Sequence, residues 1–136
     1  FPYTTLFRSD LFLVDLKLMD SGSHRRFTGV PNERILSNLR MIAEAGIDFL
    51  IRIPLIEGVN ADEENISRSA TFLASLPWER KVVNLLPYHD IGKGKHDKRG
   101  TLYNPGHLPL STPSEAVLQR CIDQFASCGI TALIGG

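Results

Sequence analysis

Cysteine and tryptophan are scarce, and neither sign of charge prevails. The 136 residues hold two cysteines and one tryptophan, and Lys+Arg balances Asp+Glu at 15 each. Each shortage excludes something. Zero formal net charge argues against nonspecific nucleic-acid binding, which needs a basic surface. No apolar run approaches the roughly 20 residues that span a bilayer. No secretory pattern is visible, so neither a membrane nor a nucleic acid is expected as partner. Cys121 and Cys128 lie seven residues apart in a helical pattern, where a disulfide is geometrically poor. Two free thiols are expected, a usage that fits the cytoplasm. No two histidines stand at i, i+4 around a glutamate, which excludes a zincin site. His24, His96 and His107 show no metal-ligand spacing, and no metal ligand is expected in this chain. Gly92-Lys93-Gly94-Lys95 lacks P-loop spacing. With Lys98 and Arg99 it reads as a solvated basic loop, an anion or partner contact being the alternative.

What is present suits one globular domain: 43% hydrophobic and 22% charged residues. The first nine residues are set apart, because 1–9 look like the in-frame translation of a common short-read sequencing adaptor. The fold is expected over 10–136, and the chain is expected to be a fragment of a longer protein that continues upstream of residue 10. Apolar runs at 10–16, 47–53, 81–86 and 130–134 read as strands. The run Val82-Val83-Asn84-Leu85-Leu86 is rich in β-branched residues and suits a strand covered on both faces, with Pro87 ending its ladder. Residues 20–30 read as a polar loop. Asn32 is expected to cap a helix whose stripe is Ile35, Leu36, Leu39, Ile42 and Ala43, closed by Gly46. A second helix starts near Asp62 and stops before Pro77. Thr112-Pro113-Ser114-Glu115 reads as a capping box with proline at the first helical position. The order is that of parallel strands with crossover helices, an α/β fold.

Four polar residues fall where such strands end. Asp15 and Lys17 flank Leu16 and by alternation point to one side. In an apolar strand both must be paired, bound to a ligand, or beyond the sheet edge. Arg52 poses the same choice near the end of the second strand. His89 follows Leu-Pro-Tyr just past the third, as a satisfied polar residue or a ligand contact. Carboxyl ends of parallel strands are where α/β folds place ligands, and the convergence of all four on one rim points to a ligand site.

Further residues carry a resemblance. Asp15-Leu16-Lys17, His24, Phe27-Thr28-Gly29-Val30-Pro31-Asn32, Ile51-Arg52-Ile53-Pro54-Leu55-Ile56-Glu57-Gly58-Val59-Asn60, and Leu85-Leu86-Pro87-Tyr88-His89 with Gly92, Lys93 and Lys95 are similar to the C-terminal half of glycyl-radical-enzyme activating enzymes. These are radical S-adenosylmethionine (SAM) proteins, of which pyruvate formate-lyase activating enzyme is the best known. The resemblance covers essentially everything after residue 10. It implies the C-terminal half of a partial (β/α)6 barrel, with this chain supplying the last three barrel strands. It also implies a [4Fe-4S] cluster that binds SAM, and a 5′-deoxyadenosyl radical formed by one-electron cleavage of the S–C5′ bond. That radical abstracts hydrogen from a backbone glycine of a partner glycyl radical enzyme, with a flavodoxin- or ferredoxin-type protein as electron donor. By the family pattern Asp15 and Lys17 lie against the methionine moiety of SAM, with a monovalent cation near Asp15. Arg52 lies near SAM at the next strand end, and His89 contacts the nucleoside side. The resemblance implies cofactor binding for these four and a catalytic role for none. The family's C-x-x-x-C-x-x-C and Gly-Gly-Glu motifs are absent from this sequence. Both belong upstream of residue 10, where the cluster ligands are expected, so the chain alone is expected to be inactive.

Two readings of other classes stay open on the residues. One is a non-redox (β/α)-barrel lyase or isomerase with Lys17 as a Schiff-base lysine and His89 as acid/base. The other is a non-catalytic α/β binding module.

Overall fold

Alternating burial along one strand explains the architecture. In β3 (Phe49–Leu55) the residues Phe49, Ile51, Ile53 and Leu55 are buried, while Leu50, Arg52 and Pro54 are half-buried. One face of the sheet is therefore covered by helices, and the other is, among the described residues, without a helical layer and half-buried. The computed structural model describes residues 4–6, 12–89 and 111–135. Within them β1 (Thr4–Leu6), β2 (Phe12–Asp15), β3, β4 (Val82–Pro87) and β5 (Thr131–Ile134) form one sheet in sequential order. β2 through β5 are parallel, as expected. The basic stretch from Gly92 to Arg99, and His96 and His107, lie outside the described residues.

The helices α2 (Glu33–Glu44), α3 (Glu63–Ala74) and α4 (Glu115–Ala126) cover a single face. Their buried stripes, led by Leu39, Ile42, Ile66, Leu73, Cys121 and Phe125, join the buried residues of β3 and β4 in one core. Phe49 opens β3 and stacks on Trp78 at 4.8 Å between ring centroids. Trp78 Nε1 also donates to Phe49 O at 3.1 Å, so the only indole is both buried and satisfied. β4 follows the same alternation, with Val83 and Leu85 buried and Val82, Asn84 and Leu86 half-buried. The expectation that β4 is covered on both faces does not hold among the described residues.

Local corrections have physical causes. Residues 20–30 are not a loop, since α1 (Ser21–Thr28) forms there. Asp20 caps it by accepting from Ser23 N at 2.8 Å, and Gly29 closes it at φ 89°. Its sequence shows little apolar period because only His24 and Phe27 are buried. β3 runs through Pro54 to Leu55, beyond the expected end at 53. Pro87 is the last residue of β4 and pairs with Leu55. The cap of α4 is Ser114, which accepts from Val117 N at 3.2 Å, rather than Thr112.

Asn32 stands at the N-cap position of α2 but does not cap it: its backbone is already helical and its side chain makes no capping bond. Its amide instead donates to Leu18 O at 3.0 Å and Met19 O at 2.7 Å, buried. Asn32→Asp separates the two roles. Aspartate caps helices as well as asparagine does, yet it has no N–H for those carbonyls. A destabilisation of about 1–3 kcal/mol is expected in urea unfolding, the cost of leaving buried acceptors unpaired. A near-neutral result would restore the capping role.

β1 pairs antiparallel with β2, Thr5 opposite Leu13, as an added edge strand. We propose that it belongs to the adaptor-like segment and extends the sheet by default. Deleting residues 1–9 should then change stability by no more than about 0.5 kcal/mol, which thermal or urea unfolding of the shortened chain would show.

Candidate functional site

The open face carries a polar row. Asp15, Arg52 and Asn84 are consecutive partners across β2, β3 and β4, so they share one face at one level. Arg52 Nε donates to Asp15 Oδ1 at 3.0 Å. The two side chains are 38% and 29% exposed, so their pair is screened by solvent and contributes little stability by itself. Arg52 lies inside β3 rather than near its end, because β3 continues to Leu55. It is nevertheless level with the last residue of β2. Asn84, which the sequence reading passed over, donates to Gly135 O at 2.8 Å and ties the end of β5 to the same row.

Lys17 stands two residues beyond Asp15, half-buried, in a segment with no ladder of its own. Leu16 N donates to Arg52 O at 2.9 Å, and there the strand pairing of β2 stops. From that point side-chain amides replace the ladder. Lys17 O accepts from Asn60 Nδ2 at 3.1 Å and from Asn65 Nδ2 at 3.3 Å. Met19 N donates to Asn65 Oδ1 at 2.8 Å. Asn60 also donates to Pro54 O at 2.6 Å and accepts from Ile56 N at 2.8 Å. Asn65 donates as well to Asn60 O at 2.9 Å. Asn60 and Asn65 are both buried.

Beneath this polar clasp the loops share an apolar contact. Leu18, Phe27, Ile56 and Val59 form a second buried cluster, against which Tyr88 packs. Tyr88 N donates to Leu55 O at 2.8 Å. The ends of β2, β3 and β4 are thereby one packed rim. His89 follows, exposed. The structure brings Asp15 and Arg52 into contact. Lys17 and His89 stand on the same rim, and among the described residues neither side chain has a hydrogen bond or ion pair.

His24 lies within α1, buried. Its Nδ1 donates to Val30 O at 2.6 Å, with Thr28 Oγ1 3.0 Å away. Burial pushes the imidazole below its ordinary value, against the opposing pull of the Val30 bond; the neighbouring Lys17 charge lowers it further.

The donor set separates two kinds of ligand. Among the described residues Asp15 and Arg52 share the half-buried face and the Lys17 ammonium has no partner, a set that offers both signs of charge to a ligand. An iron–sulfur cluster is not suited: among the described residues no three His, Cys, Asp or Glu side chains converge. Cys121 is buried on the helix-covered face, where desolvation raises its thiol pKa; Cys128 is half-buried in the turn that follows α4, beyond the helix on which both thiols were expected. No helix of the described residues is long and apolar enough to cross a membrane.

No family model matches the chain. Known proteins do. The chain is 41% identical over 128 residues to the trans-4-hydroxy-L-proline dehydratase activating enzyme of Clostridioides difficile, matching 94% of this chain and 42% of that protein. It therefore spans about two fifths of the length of that curated relative. A solved domain of pyruvate-formate lyase-activating enzyme from Bacteroides vulgatus superimposes with a TM-score of 0.76 at 51% identity, covering 93% of this chain and 67% of that one. A radical SAM methyltransferase from Sphaerobacter thermophilus shares the fold at 22% identity, with a TM-score of 0.62 over 90% of this chain and 33% of that one.

The parallel sheet with its crossover helices is thus an α/β fold consistent with part of a barrel and similar to the solved activating-enzyme domain. The chain belongs to the glycyl-radical-enzyme activating enzymes, the family of pyruvate formate-lyase activating enzyme.

The buried His24 generates a pH prediction. Below about pH 6.5 the unfolded imidazole takes up a proton that the folded one, with its lowered value, refuses. Stability therefore rises with pH through this window. The contribution is complete above about pH 6.5 and is lost as pH falls. Urea midpoints at pH 7.5 and 5.5 should differ less in His24→Asn, whose amide can replace Nδ1–H toward Val30 O, than in the wild type. An equal difference would remove His24 as the cause.

Proposed function

We propose that Asp15, Lys17, Arg52 and His89 form one wall of a SAM site in an enzyme that installs a glycyl radical on a partner glycyl radical enzyme. The observation that supports this most directly is the half-exposed Asp15–Arg52 pair on the helix-free face of a family member, with the unpaired Lys17 two residues nearer the rim. Lys17 meets the methionine carboxylate as a charge-assisted donor. Asp15 offsets cationic charge at the amino and sulfonium groups. Its Oδ2, left free by Arg52, is the atom open to a monovalent cation. Arg52 holds Asp15 in place, and His89, past the end of β4, contacts the nucleoside. Rows on neighbouring strands lie roughly 4.8 Å apart, so three strand ends line one side of such a ligand.

Held by these four residues, SAM would supply radical chemistry that takes a hydrogen atom from a backbone glycine of the partner, the one electron coming from the donor protein by way of the cluster and methionine being released. The [4Fe-4S] cluster does not fit the described residues, and its ligands are assigned to sequence beyond this chain, which alone is inactive. A flavodoxin- or ferredoxin-type electron donor and a cytoplasmic setting complete the reading.

The test uses a chain extended upstream to the length of its relatives. Lys17→Ala should weaken SAM binding by about 1.5–3 kcal/mol, the scale of a hydrogen bond to a charged group. Iron content after anaerobic reconstitution should not change. Undiminished SAM affinity after replacing both Lys17 and His89 would refute the site.

A further inference from the structure

Lys17 is the one cation of the rim that nothing holds by its side chain among the described residues. Its backbone, by contrast, is held twice. Two residues past the end of β2, Lys17 O accepts from two buried amides. Those amides come from different elements. Asn60 belongs to the loop after β3 and also grips Pro54 O and Ile56 N. Asn65 belongs to the first turn of α3 and also holds Met19 N.

We propose that Asn60 and Asn65 are positioning residues for Lys17: by clamping its carbonyl to the end of β3 and to α3, they fix the separation between the Lys17 ammonium and the Asp15–Arg52 pair. This deepens the SAM reading and rests on it for the identity of the ligand. The clamp itself is independent of that identity. Three observations carry it. The segment at Leu16 to Met19 leaves the ladder, so strand pairing does not set its course. Both amides are buried, so water does not compete for their bonds. Finally, Asn60 joins in one side chain the strand ends that deliver Lys17 and Arg52.

Two variants test the clamp. Asn65→Asp keeps the acceptor for Met19 N but turns an oxygen toward Lys17 O and Asn60 O. An acid in the first turn of α3 suits the helix dipole, which preserves the helix. Asn60→Ala removes the other donor. Trp78→Phe is the control: it loses a buried hydrogen bond to Phe49, at the opposite end of β3, and touches no part of the rim.

In the 136-residue chain, acetic anhydride labelling of Lys17 is read by mass spectrometry against Lys81, which precedes β4 at the far end. The Lys17/Lys81 ratio should rise severalfold in both asparagine variants and stay constant in Trp78→Phe. A constant ratio in both asparagine variants overturns the clamp. In the extended chain, each asparagine variant should weaken SAM about tenfold, no more than the loss expected on removing Lys17 itself. In a Lys17→Ala background Asn65→Asp should then add nothing. An equal loss with Lys17 absent means that Asn65 acts by another route, and the proposal fails. If Lys17→Ala leaves SAM affinity unchanged, it is the ligand assignment that fails, and the labelling ratio still decides the clamp.

Discussion

The rim depends on buried amides standing in for a missing strand. β2 has only four residues, and its ladder to β3 stops at Leu16. The next backbone groups are buried and need partners, because an unpaired buried carbonyl costs about 1–3 kcal/mol. Asn32, Asn60 and Asn65 supply them, each spending both amide hydrogens on backbone or carbonyl oxygen. The amide orientation is dictated by this network. A reversed Asn60 would set its oxygen against Lys17 O and Pro54 O, two repulsions in place of two bonds. Aspartate would do the same with a charge, and serine is too short to reach both strand ends.

The sheet explains why the polar row is tolerated. Phe49, Ile51, Ile53 and Leu55 occupy the face that α2, α3 and α4 cover, and alternation sends Arg52 to the other. A guanidinium on the covered face would pay a desolvation cost of several kcal/mol. On the open face it keeps part of its hydration and one carboxylate. The same logic places Asp15 there, two residues from Lys17, so one period-two pattern both builds the core and collects the charges.

Much of this was legible in the sequence. The four apolar runs and their order specify parallel strands, and Asp62 announces α3 as its cap. The rest was hidden for identifiable reasons. α1 has too few apolar positions for a periodic search, being anchored by Phe27 and a buried histidine; its only signals were Asp20 before it and Gly29 after it. Asn32 occupies a cap position with a cap residue, and nothing local reveals that its amide reaches Leu18 and Met19. Asn60 reads as a turn residue after Gly58, and its partners at Lys17 and Pro54 are known only once β2 and β3 are adjacent. Arg52 was placed by type but not by level, since Pro54 suggested a strand end that β3 passes through. The pairing of Asp15 with Arg52 needed the register, which no single strand contains.

The electrostatics of the row follow from what covers it. With side chains 29% and 38% exposed, the Asp15–Arg52 pair faces water, where an exposed ion pair is worth only about 0–1 kcal/mol. At an effective dielectric near 20 instead of 80, the same separation gives roughly four times the Coulomb energy. A ligand or a further layer on the open face thus strengthens this pair while raising the cost of leaving the Lys17 ammonium unpaired. With only the described residues around it the Lys17 ammonium is solvated, whereas a covering layer would demand an anion beside it. In the proposed SAM site such a row would distinguish a zwitterion only when water is excluded. The clamp at Lys17 O matters most in that state, because a desolvated ammonium has no water to make up for an error in its position.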